Sequence, residues 1–495
     1  MKKKIISGIC IAVIVLVFCA GIAIGTQIDR KRSHATVPAD TAPGIVNNDP
    51  FDGLVQSVEG TTPEMLVADY WLGENSDELL FSSEEIKSFN YENPLYVKYH
   101  SETENRNHYL FMYDLPEEIS GEAVLDLIVT TATLEEASDT ELIYINGSLP
   151  KEGYWTSLEQ NLAKNRIPGN VEPKYYICLE RVVAKTLPTN DFAAVNPEEL
   201  FFNSFVSAEI DPMSGVAGLH ESADGQWVFV ISGSFCGWVE KDILAECKDR
   251  EEWLSACQPE QFLIVTGSEL VMDETAVPTA SSGKILPMGT KIKLSDAEPD
   301  LVNGRSTYGS YVVEIPCCDQ DGMMSWETTL IPVSKDVHVG YLTMTSESVV
   351  EQAFKLLGKV YGYGGSFASN DCSGIVCQIY ACYGFELPRN ARAIAKLVDL
   401  GSIDCAKMTA SKKLEILEKM PAGMPLYMAG HLMIYLGMEN GEPYVISSCA
   451  TFIKPEHDPD DIQQGNCVFV SSLDLVRANG NTWLEDLSFI LWKEY

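Results

Sequence analysis

Two residues in the last third of the chain have the types and setting to make and break an acyl bond. Cys372 follows a glycine-rich loop, Gly362-Tyr363-Gly364-Gly365, and opens the run Cys372-Ser373-Gly374-Ile375-Val376, which reads as a helix start. A cysteine attacks as its thiolate, and the partial positive charge at a helix N-terminus favours that form. Backbone N–H groups of the same turn suit the oxyanion of a tetrahedral intermediate. Such a nucleophile needs a base. Of the seven histidines, His431 heads an apolar strand-like run that ends at Gly437. A histidine at a strand start, facing a cysteine at a helix start, suits acyl transfer with the imidazole as general base. A third polar group should hold the far imidazole nitrogen, and Ser447 and Ser448 on the next strand are the candidates. Each piece alone has a plainer reading: Cys372 as a buried thiol, His431 as an ordinary strand residue, Asp371 as a helix cap. The ordered combination of loop, Asp-Cys-Ser-Gly, helix and Gly-His strand is more specific than any of its parts.

These residues need elements to position them. The helix that begins at Asp371 should reach about Tyr383 and stop near Gly384. Tyr444–Ser447 is a second strand, joined to the first by Glu439-Asn440-Gly441-Glu442, and Asn-Gly is a strong hairpin signal. Ser348 with Glu351 reads as a capping box before a helix over Ala353–Leu357. Upstream, short strands dominate from about residue 175 to 339. Gln226–Ile231 followed by Gly237-Trp238-Val239 predicts a tight hairpin, Val312–Ile315 is a further strand, and the spacings fit two successive small barrels. Residues 50–165 look mixed and largely helical. Glu64–Leu72 and Ser82–Phe89 have helical spacing, and Ala123–Thr130 is an apolar run of either type. A polar stretch rich in Pro and Ala, 33–49, reads as a linker.

Lys2, Lys3 and Lys4 precede 21 uncharged, mostly apolar residues, Ile5 to Gly25. About 20 such residues span a bilayer, so 1–32 is expected to be a transmembrane anchor, with a cleaved signal and a secreted body as the alternative. Arg30, Lys31 and Arg32 follow, so basic residues flank both ends and leave orientation open. Against 35 Lys+Arg stand 71 Asp+Glu, for a net charge of −36. No nucleic-acid partner is expected of so acidic a chain, because phosphate binding needs a basic face. With 46% hydrophobic and 21% charged residues, the chain is not a mainly disordered one. None of the fourteen cysteines forms a CxxC pair, and Cys372, Cys377 and Cys382 do not share a helix face. No metal and no cofactor are expected. An exported chain could pair some cysteines as disulfides.

Residues 340–450 resemble the NlpC-type cysteine peptidases of bacterial cell walls. The resemblance rests on Tyr341-Leu342-Thr343, on Gly358–Gly365, on Asp371-Cys372-Ser373-Gly374, on Leu387-Pro388-Arg389-Asn390, and on Gly430-His431 with Ile434–Gly437. Upstream, the Trp227 to Val239 hairpin resembles a bacterial SH3-like domain, and Leu263–Val339 resembles a second. The resemblance implies an α+β multidomain chain: a papain-like NlpC-type catalytic domain at 340–495, SH3-like β-barrels at 166–255 and 256–339, a helical segment at 50–165, and the N-terminal transmembrane helix. It also implies a membrane protein of single pass with an extracytoplasmic body. Its partners would be peptidoglycan or muropeptide fragments, cleaved usually between γ-D-glutamate and a diamino acid. By position Cys372 is the nucleophile and His431 the general base and acid. Tyr361, Asp371 and Ser373 match substrate-pocket positions of members that act on stem peptides with a free amine. Tyr363 stands where members usually have Trp. Ser447 stands at the third catalytic position, usually His, and brings no charge to stabilise an imidazolium; His457 would be a substitute. Two other readings follow. One is a catalytically weak peptidoglycan-binding protein that uses its SH3-like domains. The other is an acyltransferase, which would need an apolar acyl channel.

Overall fold

The computed structural model describes residues 55–132, 142–276, 278–455 and 460–492. The expected anchor (1–32), the linker (33–49) and His457 lie outside the described residues. Among the described residues, no helix is long and apolar enough to cross a membrane.

The single helix expected over Glu64–Leu72 is two 3-10 turns, Pro63–Leu66 and Ala68–Trp71. Val67 between them is extended, with φ −116° and ψ 141°, and breaks the run. Helix α1 (Ser83–Glu92) begins where expected, with Ser82 and Glu85 closing a capping box. The ambiguous apolar run is helix α2 (Gly121–Thr131). Strands β1 (Tyr96–Ser101) and β2 (Arg106–Phe111) form a hairpin between the two helices, so the segment is mixed. Its apolar face does not form a separate core. Val124, Leu127 and Ile128 of α2 share one cluster with Phe229 and Trp238 from the sheet that follows.

That sheet has seven antiparallel strands: β3 (Lys174–Cys178), β4 (Val182–Lys185), β5 (Val206–Ile210), β6 (Gly215–Glu221), β7 (Trp227–Ser232), β8 (Phe235–Glu240) and β9 (Leu244–Glu246). Their order is β5-β4-β8-β7-β6-β3-β9. The expected tight hairpin is β7–β8, where Ser232 pairs with Phe235 and Gly233 takes the left-handed conformation (φ 55°). The next β-rich stretch forms a five-stranded sheet from β10 (Phe262–Val265), β11 (Lys291–Leu294), β12 (Ser310–Cys318), β13 (Met324–Pro332) and β14 (Val337–Val339), ordered β13-β12-β11-β10-β14. It has its own core of Leu263, Ile292, Val313, Ile315 and Ile331.

In the last part, helix α3 (Ser346–Phe354) packs on helix α4 (Cys372–Ala381), and α4 packs against a six-stranded sheet. Its strands are β15 (Ser402–Asp404), β16 (Pro425–Met428), β17 (His431–Glu439), β18 (Glu442–Phe452), β19 (Gln463–Ser472) and β20 (Leu487–Leu491), in the order β15-β20-β16-β17-β18-β19. Helix α3 starts earlier than the capping motif at Ser348 suggests. Thr345 is the cap, and Ser348 is the residue that bonds back to it. Helix α4 buries Ile375, Val376 and Ile379 and packs on β17 and β18. Each such aliphatic side chain contributes roughly 1.5–3 kcal/mol by leaving water. The β17–β18 turn is Asn440-Gly441, both at positive φ (52° and 87°), as a tight hairpin with right-handed strand twist requires. The twelve described cysteines are free thiols.

Candidate active site

Cys372 is the first residue of α4. Asp371 caps the helix, with Oδ1 accepting the Gly374 N–H at 2.9 Å. The thiol is buried, and burial, followed by the charge of Asp371, pushes it up to about 12; the Leu432 and Ser373 N–H groups pull the other way. The helix N-terminus was expected to favour the thiolate, but here desolvation outweighs it.

His431 is the first residue of β17, delivered there by the Ala429-Gly430 turn, with Met428 and His431 paired across it. Its Nε2 lies 3.0 Å from Ser447 Oγ, and both residues are buried. Ser448, one position on, turns to the opposite face and donates its hydroxyl to Asn370 O at 2.8 Å. Of the two serines, then, Ser447 meets the imidazole, while Ser448 fastens β18 to the segment that leads into α4. Trp483 packs edge-on against His431, ring centroids 5.1 Å apart. Burial, then the Arg477 charge, lowers His431 to about 3. At neutral pH the pair is therefore a thiol and a neutral imidazole.

The other side of the α4 N-terminus is ionised. Asp371 Oδ2 accepts the Gly364 N–H at 3.0 Å and Arg389 Nη2 at 2.9 Å. Arg389 Nη1 donates to Ser373 Oγ at 2.7 Å, and its Nε donates to Glu209 Oε2 at 2.8 Å. Ser373 in turn donates to Asp371 Oδ1 at 3.1 Å. Burial alone would raise Asp371, but Arg389 and these hydrogen bonds hold it below the usual carboxylate range. Glu209, on β5, is raised by burial, against the pull of Arg389. The glycine-rich loop is pressed onto the same strand. A Cβ on Gly364 would lie 2.3 Å from Val206 Cγ1, and one on Gly365 would lie 2.2 Å from Glu209 Cβ.

Two depressions meet at Cys372. One, of about 610 Å3, holds Cys372, His431, Phe202, Trp483 and Arg477. The other, of about 370 Å3, holds Asp371, Ser373, Arg389 and residues of the seven-stranded sheet. Tyr361 borders both and is fixed by its N–H donating to Asn466 O at 2.8 Å. Tyr363 is partly exposed, its ring 5.3 Å from that of Phe202. All six residues expected at the site, Cys372, His431, Ser447, Tyr361, Asp371 and Ser373, are gathered here. Sequence reading missed Glu209, Phe202, Trp483 and Arg477, and gave Arg389 no role although it lay in a quoted motif. A lone Glu in the apolar strand Val206–Ile210 was the one local signal. Among the described residues, no cluster of His, Cys, Asp and Glu suits a metal ion.

Residues 358–448 match the NlpC/P60 family, and residues 194–240 match the SH3 domain of the SH3b1 type. The SH3 match falls on the seven-stranded sheet and does not extend to the five-stranded one. No curated protein matches the chain. Among solved structures, an NlpC/P60 endopeptidase from Photobacterium damselae subsp. piscicida is similar, with a TM-score of 0.63 at 15% identity over 86% of this chain and 94% of that one. NlpC2 from Trichomonas vaginalis covers 65% of this chain and 98% of its own, at 14% identity and a TM-score of 0.25. The likeness at 15% identity concerns the fold. With Cys372, His431 and Ser447 all inside the matched stretch, the chain carries an NlpC/P60 domain, preceded by an SH3 domain of the SH3b1 type.

Proposed function

We propose that this protein is a cysteine endopeptidase that hydrolyses peptidoglycan stem peptides at the bond between γ-D-glutamate and a diamino acid, from an extracytoplasmic body anchored by its N-terminus. The observation that carries the reading is the shared groove of Cys372 and His431, with Ser447 hydrogen-bonded to the imidazole Nε2. The NlpC/P60 match supports the reaction class. Because thiol and imidazole are both neutral at rest, the thiol proton passes to His431 as Sγ bonds the scissile carbonyl carbon. The oxyanion faces the N-terminus of α4. His431 then protonates the departing amine, and a water deprotonated by His431 frees the acyl group from sulfur. Asp371, Ser373 and Tyr361 line the acyl side. Asp371 is already saturated by Arg389, Gly364 and Gly374, so it shapes that pocket together with Arg389.

Ser447 favours a second reading, a weakly active wall-binding protein, since an uncharged orienter stabilises an imidazolium less. Incubating the full chain with L-Ala-γ-D-Glu-diamino acid peptides separates the two. Cleavage that is lost in Cys372→Ala supports the peptidase. Pelleting with wall material without product supports the binding protein.

A further inference from the structure

Groove walls beside Cys372 and His431 are mainly apolar, with Phe202, Phe452, Ile453, Ile462 and Trp483 among them. Among the described lining residues, Arg477 is the one lysine or arginine. It is built in rather than loosely placed. Its backbone closes a tight turn, with Arg477 N–H donating to Asn481 O and Gly480 N–H donating to Arg477 O, both at 2.9 Å. Nη1 donates to Ala429 O at 2.9 Å, two residues before His431. Nε stands 3.6 Å from Asp486 Oδ2. The Asp486 oxygens are themselves engaged by Asn479 (2.9 Å) and Asn481 (2.7 Å). Nη2 meets no acceptor among the described residues, and 31% of the side chain is exposed. The guanidinium is thus aimed, partly open and only loosely compensated.

Geometry also says which part of a substrate it faces. The general acid must reach the departing nitrogen, and His431 borders this groove and not the second depression. The groove with Arg477 therefore receives the leaving group. Arg477, Trp483 and Asp486 all lie beyond the stretch that matches the family. A bare cation here also works against the chemistry, because its charge disfavours the imidazolium that forms on His431. An anion bound on Arg477 would relieve that opposition.

We propose that Arg477 binds a carboxylate on the leaving-group side of the scissile bond, so that the site selects peptides whose departing part is acidic. This rests on the peptidase reading above. The carboxylate has two sources: the distal carboxyl of a diamino acid that keeps it, or the C-terminal carboxyl of a peptide that ends at the departing residue. A guanidinium fork holds either by charge-assisted hydrogen bonds.

The test compares four peptides of sequence L-Ala-γ-D-Glu-X, in wild type, Arg477→Gln and Arg477→Lys. X is meso-diaminopimelate, its distal amide, its C-terminal amide, or lysine with a free C-terminus. Wild type should favour the peptide bearing the recognised carboxylate by about tenfold in kcat/KM, chiefly through KM. Arg477→Gln should lose that preference, and Arg477→Lys should keep part of it. The distal amide and lysine falling together names the side-chain carboxyl as the source, whereas the C-terminal amide falling alone names the other. A wild type that cleaves all four alike, or an Arg477→Gln that keeps the preference, overturns the proposal. If Arg477→Gln does not fold, wild type and Arg477→Lys still decide. Calorimetric titration of the same peptides into Cys372→Ala separates this proposal from the peptidase reading. Should wild type cleave nothing, about tenfold tighter binding of the acid forms keeps the carboxylate site while the peptidase fails, and equal binding sinks the carboxylate site too.

Discussion

On one side of the α4 N-terminus, Cys372, His431 and Ser447 meet without a formal charge; on the other, Asp371 and Glu209 both meet the Arg389 guanidinium. Both groups are buried, and burial acts on both. In the first it leaves the neutral forms, since the pull of Asp371 on His431 and of Arg389 on Cys372 does not offset the loss of water. In the second it is outweighed at Asp371, because the guanidinium serves two carboxylates and the remaining lone pairs take backbone and hydroxyl donors. The difference assigns separate tasks. Charge here holds α4, the glycine-rich loop and strand β5 together, while the proton-transfer pair relies on proximity and orientation.

The comparison breaks most visibly at Arg389. Arg389→Met leaves two buried carboxylates without their partner and should cost about 3–5 kcal/mol, read by urea denaturation. A loss below about 1 kcal/mol would mean that the triad does not join the domains. Next in size is Ser447→Ala. Removing an uncharged orienter should lower kcat about ten- to a hundredfold with little change in KM. That is less than the roughly 10⁴-fold typical of a mispositioned triad whose orienter is charged. A 10⁴-fold fall would show that the hydroxyl does more than orient. The third test is a slope in pH. His431 titrates at about 3 when folded, against 6.5 ordinarily. As pH falls below about 6.5, the unfolded chain takes a proton that the folded chain refuses. Stability therefore drops towards pH 3 by up to about 1.4 kcal/mol per unit. His431→Gln should flatten that limb, measured as urea midpoints across pH, and superposable curves would show that the imidazole titrates freely.

Much of the local architecture was legible. The hairpin at Asn440-Gly441, the start of α4 at Asp371 and the start of α1 at Ser82 each rest on a cap or turn residue acting over three or four positions. A polar residue can serve at more than one place in a cap. Ser348 reads as the cap of α3, but Thr345 caps it, and the earlier start brings the buried Val349 and Val350 into the helix. Glu64–Leu72 had helical spacing, but Trp71 folds back to donate its indole N–H to Met65 O and packs on Tyr444, which breaks the helix into two turns.

The sequence by itself determined which residues could react: a cysteine behind an aspartate cap, a histidine behind a glycine turn, and a serine or its neighbour on the following strand. Only the tertiary structure decided who meets whom. Neighbouring strand residues point to opposite faces, so the choice of Ser447 over Ser448 depends on sheet register, which the burial of Leu432, Ile434 and Ile446 sets collectively. Glu209, Arg389 and Arg477 come from segments far apart in the chain. Their placement around Cys372 follows from apolar area buried across whole domains, a quantity that no short run of residues contains.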